Sequence, residues 1–184
     1  NKIPAIVLFI ILLPVFLFVS IFILISDGFP ILFHQKKYGL NNKKFNLYKF
    51  RTMKNGTPIL PTEKFNDANN FIIYGGKFMR KYSIDELPQL FNILIGDMNF
   101  IGPRPCMTTD NEKIVFKKRT EKMIHTIKPG ITGWAQVNGR DLNSFDKKVE
   151  LDFYYFKNKN FLLNVKILFL TIYVVLFKKD EIKH

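Results

Sequence analysis

The pattern of polar and apolar residues changes once along the chain, near residue 30. From Ile3 to Ile25 no residue is charged, and a helix of that length is about 34 Å long, enough to cross the ~30 Å hydrocarbon core of a bilayer. A secretory signal peptide has a shorter apolar region and a small-residue cleavage site, which residues 26–30 do not resemble. The pattern therefore predicts a retained membrane helix in residues 1–28 and a body in residues 29–184.

Pro14 lies in the middle of the apolar stretch. A proline inside a helix cannot donate a backbone hydrogen bond and its ring presses on the preceding turn, so a kink is predicted there. A straight helix would place Asn1 and the body on opposite sides of the membrane, whereas a re-entrant helix would keep both on one side. Lysines at positions 36, 37, 43 and 44 favour a body on the cytoplasmic side. They do not indicate on which side Asn1 lies, so both topologies stay open.

The body begins with two short runs of β-favouring residues. Residues 31–37 and 45–50 flank Gly39-Leu40-Asn41-Asn42, which predicts a β-hairpin just outside the membrane. Residues 54–70 contain Gly56, two prolines and several asparagines, which predicts a loop.

Helical patterns follow the loop. Residue spacing and end signals predict four helices, over residues 75–81, 84–95, 110–127 and 145–157. Gly96 is expected to end the second helix, Asp110 is a candidate cap for the third, and Ser144 is expected to open the fourth.

The last apolar run extends from Phe161 to Phe177 and includes Lys166. It is too short and too polar to be a good spanning segment, which favours a helix in the membrane interface or in the core. The predicted fold is therefore α+β and mostly helical. A kinked, re-entrant or spanning membrane helix precedes a compact cytoplasmic domain that has a short β-hairpin and amphipathic interfacial helices.

Charge and cysteine content narrow the function. The net charge of +13 lies on the body, which suggests an anionic membrane surface or phosphate-containing substrates. A single cysteine, Cys106, rules out an internal disulfide and a cysteine-rich zinc cluster. The sequence has no G-x-G-x-x-G, P-loop or H-E-x-x-H motif, so Rossmann, P-loop and zincin enzymes are not supported.

Two adjacent carboxylates, Asp85 and Glu86, stand at the predicted start of the second helix. Acidic first turns commonly complement the helix dipole, either with Ser83 and Glu86 as a capping box or with Asp85 as the cap and Pro88 in the first turn. Neighbouring helical residues project about 100° apart. One carboxylate could therefore face a reacting centre as an ionised nucleophile while the other holds a hard cation.

Arginine is rare in this chain, because 23 of the 28 basic residues are lysine. The guanidinium group binds phosphate oxygens with a fixed fork that ammonium lacks. Three of the five arginines lie beside the carboxylates or in Gly/Pro-rich segments: Arg80, Arg104 and Arg140. Chance placement with surface ion pairs is the alternative for each of them.

Several stretches together resemble a known family. They are Tyr48-Lys49-Phe50-Arg51-Thr52-Met53, Asp85-Glu86-Leu87-Pro88-Gln89-Leu90, Gly96-Asp97-Met98, Gly102-Pro103-Arg104-Pro105 and the segment from Pro129 to Arg140. The chain resembles the bacterial sugar transferases, the monotopic polyprenyl-phosphate phosphoglycosyl transferases, from its apolar end to about residue 178. The resemblance implies transfer of a phospho-sugar from a UDP-sugar to polyprenyl (undecaprenyl) phosphate with release of UMP, at the cytoplasmic face of the bacterial inner membrane.

The resemblance also implies residue roles. Asp85 corresponds to the family nucleophile, which forms a phospho-aspartyl intermediate in a ping-pong reaction, and Glu86 corresponds to its Mg²⁺-binding partner. Family arginines at the phosphates correspond to Arg80, Arg104 and Arg140. Lys49 and Arg51 lie in a family motif expected on the substrate side, and Pro14 corresponds to the proline of a re-entrant helix. Leu13 stands where the family often has a serine.

Two other functions fit parts of the sequence. A basic membrane-anchored module would bind anionic lipid or nucleic acid, but no nucleic-acid motif is present and no nucleic-acid partner is expected. A metal-dependent phosphohydrolase would use the same two carboxylates with water as the acceptor. The identity of the sugar and the formation of a homo-oligomer are left open by the sequence.

Overall fold

The computed structural model describes residues 2–57, 68–108, 112–139 and 144–177. The helices in these ranges are α1 (Lys2–Asp27), α2 (Gly76–Lys81), α3 (Gln89–Ile95), α4 (Lys113–Glu121), α5 (Trp134–Val137), α6 (Phe145–Asn158) and α7 (Phe161–Phe177). The strands are β1 (Leu32–Tyr38), β2 (Lys44–Phe50), β3 (Asn99–Ile101), β4 (Cys106–Met107) and β5 (Gly130–Thr132). The predicted α+β, mostly helical fold is confirmed.

Helix α1 lies against the body along one face. Residues spaced three and four apart pack onto it: Ala5, Phe9, Leu12, Phe16, Val19 and Ile23. Ala5 near the start of α1 and Ile23 near its end are both 0% exposed, and the helix continues through Pro14. The membrane helix therefore contacts the body over its whole length, while the kink and the re-entrant path stay predictions.

The other faces of α1 are apolar and uncovered. Ile3, Ile10, Ile11 and Phe18 are among its exposed side chains, and little of the helix is buried inside the protein. The helix is long and apolar enough to cross a membrane. An exposed apolar surface of this size is expected to contact lipid.

The predicted hairpin is confirmed. Strands β1 and β2 pair antiparallel from Leu32↔Phe50 to Tyr38↔Lys44, and a 3₁₀ turn at Leu40–Asn42 connects them. Strand β4 adds to the other edge of β1, which gives the strand order β2-β1-β4. A separate parallel pair joins β3 to β5.

The predicted helix over 84–95 is wrong at its start. The chain forms a 3₁₀ turn at Ile84–Glu86 and begins α3 only at Gln89, after Pro88. Neither Ser83 nor Asp85 caps α3: Ser83 adopts a left-handed conformation with φ 55° and makes no side-chain capping bond. Gly96 ends the helix as predicted, with φ 97°.

Of the other predicted helices, two are confirmed and one is shorter than predicted. The expected helices at 75–81 and 145–157 are confirmed as α2 and α6, and the Ser144 hydroxyl accepts the Lys147 N–H at 3.3 Å. The helix predicted over 110–127 is shorter, because Met123 takes φ 60° between α4 and a 3₁₀ turn at Ile124–Thr126. Asp110 and residues 58–67 of the predicted loop lie outside the described residues.

Helix α7 confirms that the last apolar run is helical. Ile167 is fully buried, while Phe161, Leu162 and Phe169 are largely exposed. One face of α7 therefore packs on the body, and its other faces present large apolar side chains.

Candidate active site

Asp85 and Glu86 lie in the 3₁₀ turn between α2 and α3. The left-handed Ser83 reverses the chain after α2, and Pro88 precedes the first residue of α3. Both carboxylates are buried, at 7% and 6% exposure. Buried carboxylates are rare unless they are paired or used in chemistry.

The two carboxylates meet at one cation. The Lys49 Nζ atom lies 2.8 Å from Glu86 Oε1 and 3.5 Å from Asp85 Oδ2. The expectation that neighbouring carboxylates face different ways is therefore wrong for this turn. Lys49 comes from β2, so the hairpin supplies one side of the site and the turn supplies the other.

Two of the three predicted arginines lie at this pair. Arg104 Nη2 donates to Glu86 Oε1 at 3.0 Å. Arg80 donates from Nε to Thr52 Oγ1 at 2.9 Å and is close enough to Asp85 for their charges to interact. Arg140 lies outside the described residues. The structure thus gathers Lys49, Arg80 and Arg104 around the carboxylates, while their binding of phosphate stays a prediction.

Burial and charge act against each other at Asp85. The pKa of Asp85 lies above its ordinary value, because burial raises it more than the nearby cations lower it: Lys49, Arg80 and Arg104 lower this pKa, and Glu86 raises it further. Burial also lowers the pKa of Arg80, and Asp85 opposes that shift. Three basic side chains face two carboxylates, so the site has an excess of positive charge and can bind a further anionic group.

Arg51 has a different place from the one predicted. Its five N–H donors meet five acceptors: Nε donates to the Pro30 carbonyl, Nη1 to the Asp27 carboxylate and the Met53 carbonyl, and Nη2 to the carbonyls of Asp27 and Gly28. A guanidinium with every donor engaged has none left for a phosphate. Arg51, at 5% exposure, instead joins the end of α1 to the end of β2.

The amino-acid sequence is similar to those of known proteins. The family model "Bacterial sugar transferase" matches residues 1–178. The chain belongs to the bacterial sugar transferase family.

Relatives in several bacteria are similar to most of the chain. EpsL of Bacillus subtilis, an uncharacterized sugar transferase, is 42% identical over 168 residues, which are 88% of this chain and 78% of EpsL. The UDP-glucose:undecaprenyl-phosphate glucose-1-phosphate transferase of Xanthomonas campestris is 36% identical over 97% of this chain. The UDP-N-acetylgalactosamine-undecaprenyl-phosphate N-acetylgalactosaminephosphotransferase of Aeromonas hydrophila is 37% identical over 89%. The chain spans only 38% and 39% of the latter two proteins.

The sugar transferase segment that carries Arg104 is fixed by backbone pairing. Gly102 N donates to the Thr132 carbonyl at 2.9 Å, and Gly130 N donates to the Pro103 carbonyl at 3.0 Å. A β-carbon at Gly130 would collide with the backbone nitrogen of Gly102. The Pro129–Arg140 motif therefore supports the Gly102–Pro105 motif by close main-chain contact.

A buried ion pair also holds this segment. Arg119 of α4 donates from Nη1 to the Arg104 carbonyl at 2.6 Å and to Cys106 Sγ at 2.8 Å. Its Nη2 pairs with Asp152 of α6, which is 1% exposed. Sequence reasoning counted Arg119 without giving it a role and missed Asp152. The signal was an acid three residues after Val149, on the apolar face of α6.

A second missed residue joins β2 to α3. Asn92 is 0% exposed, accepts the Tyr48 N–H at 3.1 Å and donates to the Asn46 carbonyl at 2.7 Å. This amide fixes the strand that carries Lys49 onto the helix that follows the carboxylates. The signal in the sequence was a polar residue between Phe91 and Ile93 in an apolar helix.

The carboxylates are a suitable donor set for a hard cation. Within the described ranges no group of three or more His, Cys, Asp or Glu side chains could hold a metal. Mg²⁺, however, is commonly bound by one or two carboxylates together with substrate phosphates. The Lys49 ammonium already lies against both Asp85 and Glu86, so the space between them accepts a positive charge.

Proposed function

We propose that this chain is a phosphoglycosyl transferase that moves a sugar-1-phosphate from a UDP-sugar to polyprenyl (undecaprenyl) phosphate and releases UMP. The observation that carries the proposal is the buried pair Asp85 and Glu86, enclosed by Lys49, Arg80 and Arg104. The names of relatives that pair a UDP-sugar with undecaprenyl phosphate support the same reaction.

Asp85 is the proposed nucleophile. One of its carboxylate oxygens attacks the phosphorus that bears the sugar, the bond from that phosphorus to the bridging oxygen breaks, and UMP leaves with the electron pair. A phosphate oxygen of the lipid then attacks the same phosphorus and the aspartyl–phosphate bond breaks. Asp85 returns as a free carboxylate and the product is a polyprenyl-diphosphate sugar.

The basic side chains reduce the electrostatic repulsion that opposes this reaction. A diphosphate repels an anionic nucleophile, and charge accumulates on the phosphoryl oxygens in the transition state. Arg80 and Arg104 are positioned to neutralise that charge, and Lys49 supports the ionised form of Asp85. Glu86, with Asp85 beside it, would hold Mg²⁺, which supplies further neutralisation of phosphate charge when bound.

The position of the site suits a lipid acceptor. Ile84 and Leu87, on either side of the two carboxylates, pack against a cluster that includes Val19 and Ile23 of α1. Charged chemistry therefore lies beside the helix whose other faces are apolar and exposed. This arrangement supports a monotopic enzyme at the cytoplasmic face of the inner membrane, with α1 re-entrant.

The decisive experiment measures UMP from a panel of UDP-sugars with undecaprenyl phosphate and Mg²⁺, using the full chain in detergent or nanodiscs. We expect release of UMP that depends on the lipid, and exchange of labelled UMP into UDP-sugar without the lipid, as a ping-pong mechanism requires. Asp85→Asn should remove both reactions, while Asp146→Asn, an exposed acid of α6, should keep them.

Three outcomes would contradict the proposal. Lipid-independent hydrolysis as the main reaction would make the chain a phosphohydrolase. Absence of UMP exchange in an otherwise active protein would exclude the covalent route. Full activity of Asp85→Asn would remove Asp85 as the nucleophile.

A further inference from the structure

Lys37 is a buried cation near the candidate site that the proposed mechanism does not use. The residue is 6% exposed. Among the described residues its ammonium has no hydrogen-bond or ion-pair partner. A buried charge is costly unless it is paired. The Lys37 ammonium is not fully enclosed, so an anion that is not part of the chain can reach it and offset the cost of burying its charge.

The strand pairing places Lys37 between two groups of the site. Lys37 pairs with Phe45 on β2, and Lys49 lies four residues further along β2. Side chains alternate along a strand, so the two lysines project from the same face of the hairpin. On its other side Lys37 pairs with Met107 of β4, three residues after Arg104. Lys37 thus lies between the strand of Lys49 and the segment of Arg104.

The electrostatics agree with this placement. Burial lowers the pKa of Lys37 to about 8; Glu112 opposes that shift, and Arg104 and Lys49 add to it. The Glu112 carboxylate accepts the Met107 N–H. Cys106, whose thiol pKa is raised by burial, pairs with Tyr38 on the opposite face of the strand and is close enough to interact electrostatically with Lys37. Lys37 therefore experiences two nearby cations and one carboxylate that has another partner.

We propose that Lys37 binds a phosphate group of the substrate, together with Arg104 and Lys49. The inference rests on the proposed function and adds a residue to it. The phosphate belongs either to the diphosphate of the nucleotide-sugar or to the phosphate of the lipid, because both present the same oxygens to an ammonium. In the free protein the charge of Lys37 costs stability, and bound phosphate offsets that cost.

The test compares Lys37→Met with Lys36→Met in the full chain. Lys36 is the adjacent residue of β1, points to the opposite face and is exposed, so both variants lose the same charge. Binding of UDP and of undecaprenyl phosphate is measured separately by calorimetry, and thermal stability is measured without ligand. We expect Lys37→Met to weaken one ligand about 10- to 100-fold with an equal or higher melting temperature. Lys36→Met should bind both ligands like the wild type.

The ligand that is weakened identifies the source of the phosphate. Unchanged binding of both ligands by Lys37→Met would overturn the inference and leave the proposed function intact. A lower melting temperature with equal weakening of both ligands would make Lys37 a structural residue and would also overturn it. A wild-type protein that binds neither ligand would overturn the proposed function, and this inference with it.

A second variant tests the inference through the pH dependence of binding. Lys37 binds phosphate only when protonated, so the affinity of the wild type should fall as the pH rises through and above 8. Lys37→Arg stays charged throughout this range and should bind without that fall, even if Lys37→Met does not fold. An identical pH dependence in the wild type and Lys37→Arg would contradict the assignment.

Discussion

Replacing Asn92 with leucine tests whether one buried amide holds Lys49 in the site. Asn92 accepts the Tyr48 N–H and donates to the Asn46 carbonyl. Strand β2 is an outer strand of its sheet, so these two backbone groups rely on Asn92 instead of a neighbouring strand. Leucine has a similar volume but offers neither a donor nor an acceptor.

The expected loss follows from those two contacts. A buried backbone group left without a partner costs about 1–3 kcal/mol, and two such groups cost about 3 kcal/mol or more. For a chain of this size 1 kcal/mol corresponds to roughly 2–4 °C in melting temperature. Asn92→Leu should therefore melt about 6–12 °C below the wild type. At temperatures where it is still folded, Asn92→Leu should also release less UMP than the wild type, because β2 carries Lys49.

The measurement is a thermal melt in detergent, followed by UMP release at a temperature where both proteins are folded. Asn158→Leu is the control, because Asn158 is exposed and its amide donates only to the Tyr154 carbonyl of its own helix. Equal melting temperatures of Asn92→Leu and the control would refute the reasoning about β2. A destabilised variant with full activity would show that Asn92 does not position Lys49.

Two further variants test buried ion pairs. Arg51→Lys should lower the melting temperature and speed protease cleavage after Gly28, because lysine cannot reach the five acceptors at the end of α1. The control is Lys54→Ala, at an exposed position. Equal cleavage rates for the two variants would contradict this prediction. Asp152→Asn should cost about 3–5 kcal/mol, because it leaves a buried arginine unpaired, whereas Asp146→Asn on the same helix should cost at most ~1 kcal/mol. Equal thermal melts for the two aspartate variants would show that the buried pair does not stabilise the fold.

Local patterns explain how much of the fold the sequence could predict. The β1–β2 hairpin, α2 and α6 depend on signals within a few residues, such as the Ser144 cap. Strands β3, β4 and β5 have only two or three residues each, too few for an alternating pattern. Their pairing is decided by contacts across the chain, including the close approach of Gly102 and Gly130.

The site also combines residues that local sequence patterns reveal with contacts that only the folded chain brings about. Asp85 and Glu86 stand out in the sequence, and the structure gathers Lys49, Arg80 and Arg104 around them. Arg51 belongs to the same motif as Lys49, yet its side chain turns to the end of α1, because Arg51 lies beyond Phe50, the last residue of β2. Residues two apart on a strand point to the same face, so the alternation of β2 alone would not have separated their roles. The convergence of both carboxylates on Lys49 depends on a 3₁₀ turn that helical spacing did not predict.

The packing of α1 leads to a prediction about membrane topology. Ala5 shares a buried cluster with Leu47 of β2 and with Leu90 of α3, so the start of α1 lies beside the body. A helix that crossed the bilayer alone would carry Ala5 away from these residues. We therefore expect Lys2 and the body to lie on the same side of the membrane.

Single cysteines provide the test, because Cys106 is the one native cysteine and is 5% exposed. In a Cys106→Ser background, Lys2→Cys and Lys36→Cys both place a thiol at an exposed position. A membrane-impermeant maleimide should label both in inverted membrane vesicles and neither in intact spheroplasts. Labelling of Lys2→Cys from the opposite side to Lys36→Cys would mean that α1 spans the bilayer. The buried cluster that holds Ala5 together with Leu90 would then be incompatible with the membrane-bound state, because Leu90 belongs to the helix that directly follows the two carboxylates.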